Sequence, residues 1–144
     1  MKNSLRSWKA YSKHLQKSSK NLLKGYAFDY ASKKNHLDIY TYKYQWSSFT
    51  TPIKKRSGLA NINENRIHNM QLAADRIDRL IIQPQQIFGF WNSVPRPIER
   101  NGFRSGPMLV KGKLINDVGG GLCQISTTLF NALLWGNFEV LERY

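Results

Sequence analysis

At 144 residues the chain has the length of one ordinary domain, and its 41% hydrophobic content suits a globular protein that buries a core. Its net charge of +13 is unevenly spread: residues 1–60 carry +11 and residues 61–144 carry +2. One cysteine excludes an internal disulfide, and no apolar run approaches the roughly 18 to 20 residues of a membrane-spanning helix.

The N-terminus, MKNSLRSWKAYSKHLQKSSKNLLKG, starts basic as an export signal does, but lacks the uninterrupted apolar stretch of about 7 to 15 residues that should follow. A cytoplasmic or membrane-peripheral location is therefore expected, or an extracytoplasmic one if the N-terminus is incomplete. Residues 3–24 set Leu5, Trp8, Tyr11, Leu15 and Leu22 near one helical face and Lys9, Lys13, Lys17, Lys20 and Lys24 largely on the other. Such a basic amphipathic helix most often packs on its own domain. It also suits an anionic membrane surface or an acidic partner through residues 1–24. Nucleic acid would find charge there but no recognition motif, so no specific nucleic-acid binding is expected.

Leu37 to Phe49 is rich in β-branched and aromatic residues, with Tyr40, Tyr42, Tyr44 and Trp46 at period two, which predicts a strand with one aromatic face. The basic, turn-rich TPIKKRSG that follows marks the expected boundary between a basic region, 1–58, and a domain at 59–144. A core helix is predicted over about Asn63 to Ile81, where Ile67, Met70, Ala74, Ile77 and Ile81 recur at steps of three and four. Asn61 or Asn63 would cap it, and Pro84 would stop its continuation. IFGFWNSV, Ile87 to Val94, reads as a short strand, and PMLVKGKLIND, Pro107 to Asp117, as a hairpin around Lys111 and Gly112. The architecture expected is α+β: a small, mostly antiparallel sheet packed with two helices and preceded by the basic helix.

The second of those helices, Cys123 to Trp135, is nearly all apolar and so is expected to be buried, with Gly136 ending it. Three glycines, Gly119, Gly120 and Gly121, precede it. They allow positive φ and close backbone approach, and three together before a helix can make an anion-receiving turn whose free amides add to the helix dipole. A phosphate loop would end in Gly-Lys-Ser/Thr, whereas Cys123 and Gln124 stand here. A thiol at a helix start is favoured as its anion and gains nucleophilicity, and nearby amides can hold an oxyanion. The competing account is a small buried hydrophobe, since lone cysteines beside apolar residues commonly are that. His14, His36 and His68 lie far apart without ligand spacing, so neither a metal nor another cofactor is expected.

GGGLCQISTTLFNALL with the LER of Leu141 to Arg143 resembles the signature of the VanW family, first noticed in glycopeptide-resistance gene clusters of Gram-positive bacteria. The resemblance extends to the NGF of Asn101 to Phe103, the KGKL of Lys111 to Leu114, the IFGF of Ile87 to Phe90, and Asn65, Ala73 and Ala74. It implies a role in peptidoglycan metabolism or glycopeptide resistance. Some members act as L,D-transpeptidases forming 3-3 cross-links, so Cys123 would attack a stem peptide and form an acyl-enzyme. Gly119, Gly120 and Gly121 would then serve backbone approach and oxyanion contact, and Gln124 a second donor or a hold on the loop. Ser126 and Thr127 would support the first turn by bonding or capping backbone groups. Members usually continue beyond the LER with a histidine-bearing segment, so this chain resembles a member incomplete at its C-terminus. Many also carry glycine where Gln85 follows Pro84. The alternative reading is a non-catalytic module that binds wall precursors or the membrane surface.

Overall fold

The computed structural model describes residues 16, 19–20, 22–26, 29–35, 44–54, 60–110 and 112–143. Most of the basic N-terminal helix, and Tyr40 and Tyr42 of the aromatic segment, lie outside the described residues. Within them the fold is α+β. The elements run α1 (Ala60–Ile77), α2 (Phe90–Ser93), a 3-10 turn (Glu99–Asn101), β1 (Ser105–Val110), β2 (Lys113–Val118) and α3 (Leu122–Trp135).

The hairpin forms as its sequence predicts. β1 and β2 pair antiparallel from Ser105↔Val118 to Val110↔Lys113, leaving two residues for the connection. Gly112 takes φ +74°, which a side chain would resist. IFGFWNSV, by contrast, is not a strand. Ile87 makes one parallel bridge with Tyr30, and the chain then coils into α2 because Gly89 O accepts from the amides of Asn92 and Ser93 and from Ser93 Oγ.

α1 also departs from expectation, in both extent and facing. It starts at Ala60 and closes at Ile77, where Arg79 adopts φ +59° and Leu80 bridges to Lys34 instead of continuing the helix. The buried positions are Asn63, Asn69, Met70 and Ala73, whereas Ile67 is 37% exposed. An asparagine has displaced an isoleucine from the inner face. The cause lies in α1's packing against β1 and α3, where Asn69 finds its hydrogen-bond partners. Ala73, Val94, Phe103 and Leu122 form the core, with Leu72, Ile77, Phe90, Val118 and Ile125 packed around it.

α3 forms where predicted, one residue earlier, and Gly136 closes it by donating to Ala132 O. The expectation that it is buried needs correction. Among the described residues Leu122 is its buried side chain, Cys123 is exposed, and Leu134 and Trp135 are 45% and 74% exposed. α1 lies against one side of the helix, and an extended segment, 44–54, lies along another rather than wrapping it. That segment carries no strand partner, so the predicted strand is not formed in its described part. It runs antiparallel to α3 through four contacts: Trp46 Nε1 donates to Gly136 O, Ser47 Oγ to Ala132 O, Thr51 Oγ1 pairs with Thr128 Oγ1, and Gln124 Nε2 donates to Pro52 O. Residues 29–35 are laced onto 79–87 by backbone bonds instead, with Ala31 N–H donating to Ile87 O and Ile81 N–H to Lys33 O.

Candidate functional site

The turn between β2 and α3 delivers the cysteine, and each of its glycines has a distinct steric reason. Gly119 sits at φ +93°, and a Cβ there would overlap the Pro97 ring. Gly120 touches the backbone of Gly106: a Cβ would stand 2.6 Å from its oxygen and 2.7 Å from its Cα. Gly121 is the helix N-cap at φ +103°, with Arg66 O 3.0 Å from where a Cβ would lie. Close approach and left-handed φ are both things that glycine alone tolerates at low cost.

Asn69 locks this turn in place. Fully buried, its Nδ2 donates to Arg104 O at 2.8 Å and to Gly120 O at 2.9 Å, while its Oδ1 accepts from Arg104 N–H at 2.8 Å. One amide therefore spends both donor hydrogens and its acceptor on joining α1, the start of β1 and the glycine turn. Asn65 Nδ2 adds a bond to Ser105 O at 2.9 Å, and Gly119 N–H donates to Arg104 O at 3.0 Å. Sequence periodicity passed over Asn69 because a polar residue inside an apolar helical pattern reads as surface. The available signal was a run of asparagines on α1, Asn61, Asn63, Asn65 and Asn69, too polar for a simple core helix.

Beyond the turn, Cys123 stands exposed on the first turn of α3 as a free thiol. No side chain caps that helix start. Gln124 is held at both ends of its amide: Arg66 Nη2 donates to its Oε1 at 3.1 Å and its Nε2 donates to Pro52 O at 3.1 Å. Arg66 also reaches Lys54 O at 3.2 Å, so α1, the 44–54 segment and α3 meet beside the thiol. Ser126 Oγ donates to Cys123 O at 3.1 Å, whereas Thr127 points outward and lends its carbonyl to Asn131. Asn131 bonds back within its own helix, as short polar side chains often do. His68 lies on α1 with Nε2 2.9 Å from Gly102 O, and no hydrogen bond joins it to Cys123. Among the described residues no three His, Cys, Asp or Glu side chains gather as metal ligands. Arg143 of the LER stretch stacks on the Phe130 ring at 3.9 Å, which returns the end of the described chain to α3.

An α+β unit that presents a single thiol behind a clamped glycine turn is the class of protein these elements define. The family model described as "VanW like protein" matches residues 65–144, more than half of the chain, and the protein belongs to that family. It is 40% identical over 82 residues to the uncharacterized protein YoaR of Bacillus subtilis. It is 34% identical over 80 residues to the vancomycin B-type resistance protein VanW of Enterococcus faecalis. These matches take in 57% and 56% of this chain but 27% and 29% of those relatives, so the chain spans less than a third of the curated proteins it matches. No solved structure matches it.

Proposed function

We propose that this chain contains the thiol-bearing part of a VanW-type protein of peptidoglycan metabolism or glycopeptide resistance, and that Cys123 is the nucleophile of an L,D-transpeptidase. The observation that carries the reading is an exposed thiol on an uncapped first helical turn, behind a turn that Asn69 holds rigid. The relative named for vancomycin resistance supports the biological setting.

In the reaction the Cys123 thiolate adds to the carbonyl of the third residue of a stem peptide. The carbonyl oxygen becomes an oxyanion, and with Gly119 N–H already donated to Arg104 O, the Gly120 and Gly121 amides are left to receive it. The peptide C–N bond breaks, the terminal D-residue leaves as an amine protonated from water, and a thioester remains. The side-chain amine of a neighbouring stem then attacks the thioester, forms the 3-3 amide bond and returns the sulfur as a leaving group. Arg66 and Gln124 bind no reacting atom in this scheme and serve to fix the first turn of α3.

A second reading, a non-catalytic module that binds wall precursors, is favoured by a specific observation. Packing against Gly106, Pro97 and Arg66 accounts for all three glycines without any oxyanion. Incubation with a purified disaccharide-tetrapeptide separates the two by mass spectrometry. The transpeptidase reading expects a thioester adduct on Cys123 and a 3-3 linked dimer, both absent from Cys123→Ser. Precursor binding that Cys123→Ser retains, with no adduct on the parent protein, would establish the second reading instead.

A further inference from the structure

Beside the end of α1, α2 and the 3-10 turn lies a cavity of about 390 Å³ whose lining includes Arg76, Trp91, Val94, Arg100 and Asn101. Two guanidinium groups reach it from different elements, Arg76 from the last turn of α1 and Arg100 from the 3-10 turn. Among the described residues neither is paired with a carboxylate, although Asp75, Asp78 and Glu99 lie close to them in sequence; Asp78 pairs with Arg79 instead. Two unpaired like charges on one cavity repel each other, and an anion between them removes that cost.

The rest of the lining is suited to the remainder of a ligand. Trp91 is 57% exposed, and Phe90 meets it edge to face at 5.0 Å, which fixes the indole at the rim as a flat surface. Asn101 commits its Nδ2 to Arg96 O at 2.7 Å, which orients the amide. Buried Val94 lies in the wall and joins the cavity to the core through Phe103 and Ala73.

We infer that this cavity is a binding site for an organic phosphate or pyrophosphate, with Arg76 and Arg100 on the phosphoryl oxygens and Trp91 against the attached ring. Two planar forks match the several oxygens and double charge of a phosphoryl group, whereas a single carboxylate is satisfied by one. A ring beside the phosphate gains the indole face, as sugars and bases do on exposed aromatics. Arg76 lies ten residues beyond Arg66 on α1, about 15 Å along the helix axis, so the site is separate from Cys123.

The test is calorimetric titration of the full chain with inorganic pyrophosphate, a nucleoside-diphosphate sugar and the same sugar without phosphate. Saturable binding is expected for the first two and none for the third, with the sugar nucleotide the tighter. Arg76→Gln and Arg100→Gln should each weaken pyrophosphate binding about tenfold or more, as loss of a charged hydrogen bond does. Trp91→Ala should remove the extra affinity of the sugar nucleotide and leave pyrophosphate unchanged. Lys20→Gln with Lys24→Gln removes equal charge elsewhere and should have little effect. If that pair weakens binding as much as the arginine pair, the net charge binds phosphate and the cavity does not. Since both arginines are exposed, Arg→Lys variants should fold and bind with intermediate affinity; full affinity in them would overturn the fork recognition. Cys123→Ser should bind like the parent, so the outcome is independent of the transpeptidase reading.

Discussion

A methyl group at residue 120 or at residue 106 distinguishes two glycines that face one another. At Gly120 the added Cβ meets the Gly106 backbone, which has no rotamer to move away, and at Gly106 the nearest atoms are 3.5 Å off, an ordinary contact. Gly120→Ala is therefore expected to cost more than about 3 kcal/mol, and Gly106→Ala to change stability by less than about 1 kcal/mol, in denaturant midpoints. Equal effects would remove close approach as the reason for Gly120. Asn69 gives a second contrast. Asn69→Ala removes three hydrogen bonds and strands Arg104 N–H and Gly120 O, since Arg104 O keeps the Gly119 amide, and should cost about 1 to 3 kcal/mol or more. Asn69→Asp should be worse than the alanine, because it aims a buried carboxylate at the carbonyls of Arg104 and Gly120. Gln85 runs the other way. Gln86 N–H donates to Gln83 O across Pro84 and Gln85, and Gln85 takes φ +68°, the third position of a type II turn, which glycine fills best. Relief of about 1 to 2 kcal/mol exceeds the entropy that glycine adds to the unfolded chain, so Gln85→Gly should raise stability by up to about 1 kcal/mol.

Among the elements, the least secured contact is the extended segment 44–54 along α3. It is held by side-chain hydrogen bonds at Trp46, Ser47, Thr51 and Gln124, with no ladder of backbone pairs. Each such bond contributes about 0.5 to 1.5 kcal/mol net, so removing two should release the segment before the fold is lost. Ser47→Ala with Thr51→Val is expected to speed amide exchange across residues 45–53 while the β1–β2 hairpin keeps its protection. Uniform loss of protection in both would show that the segment and the hairpin unfold as one unit.

For the molecule as a whole, Phe103 is the largest of the fully buried side chains among the described residues. Truncating a buried phenylalanine costs about 3 to 5 kcal/mol, against a total stability of about 5 to 15 kcal/mol for ordinary domains. Phe103→Ala should therefore lower the midpoint of thermal unfolding sharply or abolish the cooperative transition, as read by near-ultraviolet circular dichroism. The charge asymmetry leads to a different test. With +11 on residues 1–60, the full chain is expected to associate with anionic lipid vesicles in low salt and to dissociate as salt approaches physiological strength. Equal binding to neutral vesicles would count against an electrostatic attachment. Among the described residues no helix is long and apolar enough to cross a membrane.

What was legible in the sequence was whatever depends on neighbours along the chain. The hairpin turn at Gly112, the start of α3 after the glycines and its close at Gly136 follow from backbone conformations that local residues prefer, and the signature around Cys123 was sufficient to suggest the family. The facing of α1 was not legible, because Asn69 is buried by partners at Arg104 and Gly120, 35 and 51 residues away, which no periodicity reports. IFGFWNSV coiled where its composition favoured a strand, since Tyr30 offered a partner to Ile87 alone. The exposure of Cys123, the hold on Gln124 from Arg66 and Pro52, and the meeting of Arg76 with Arg100 at one cavity were likewise decided by packing. Burial and side-chain pairing are properties of segments brought together in space, so the tertiary structure alone decides them.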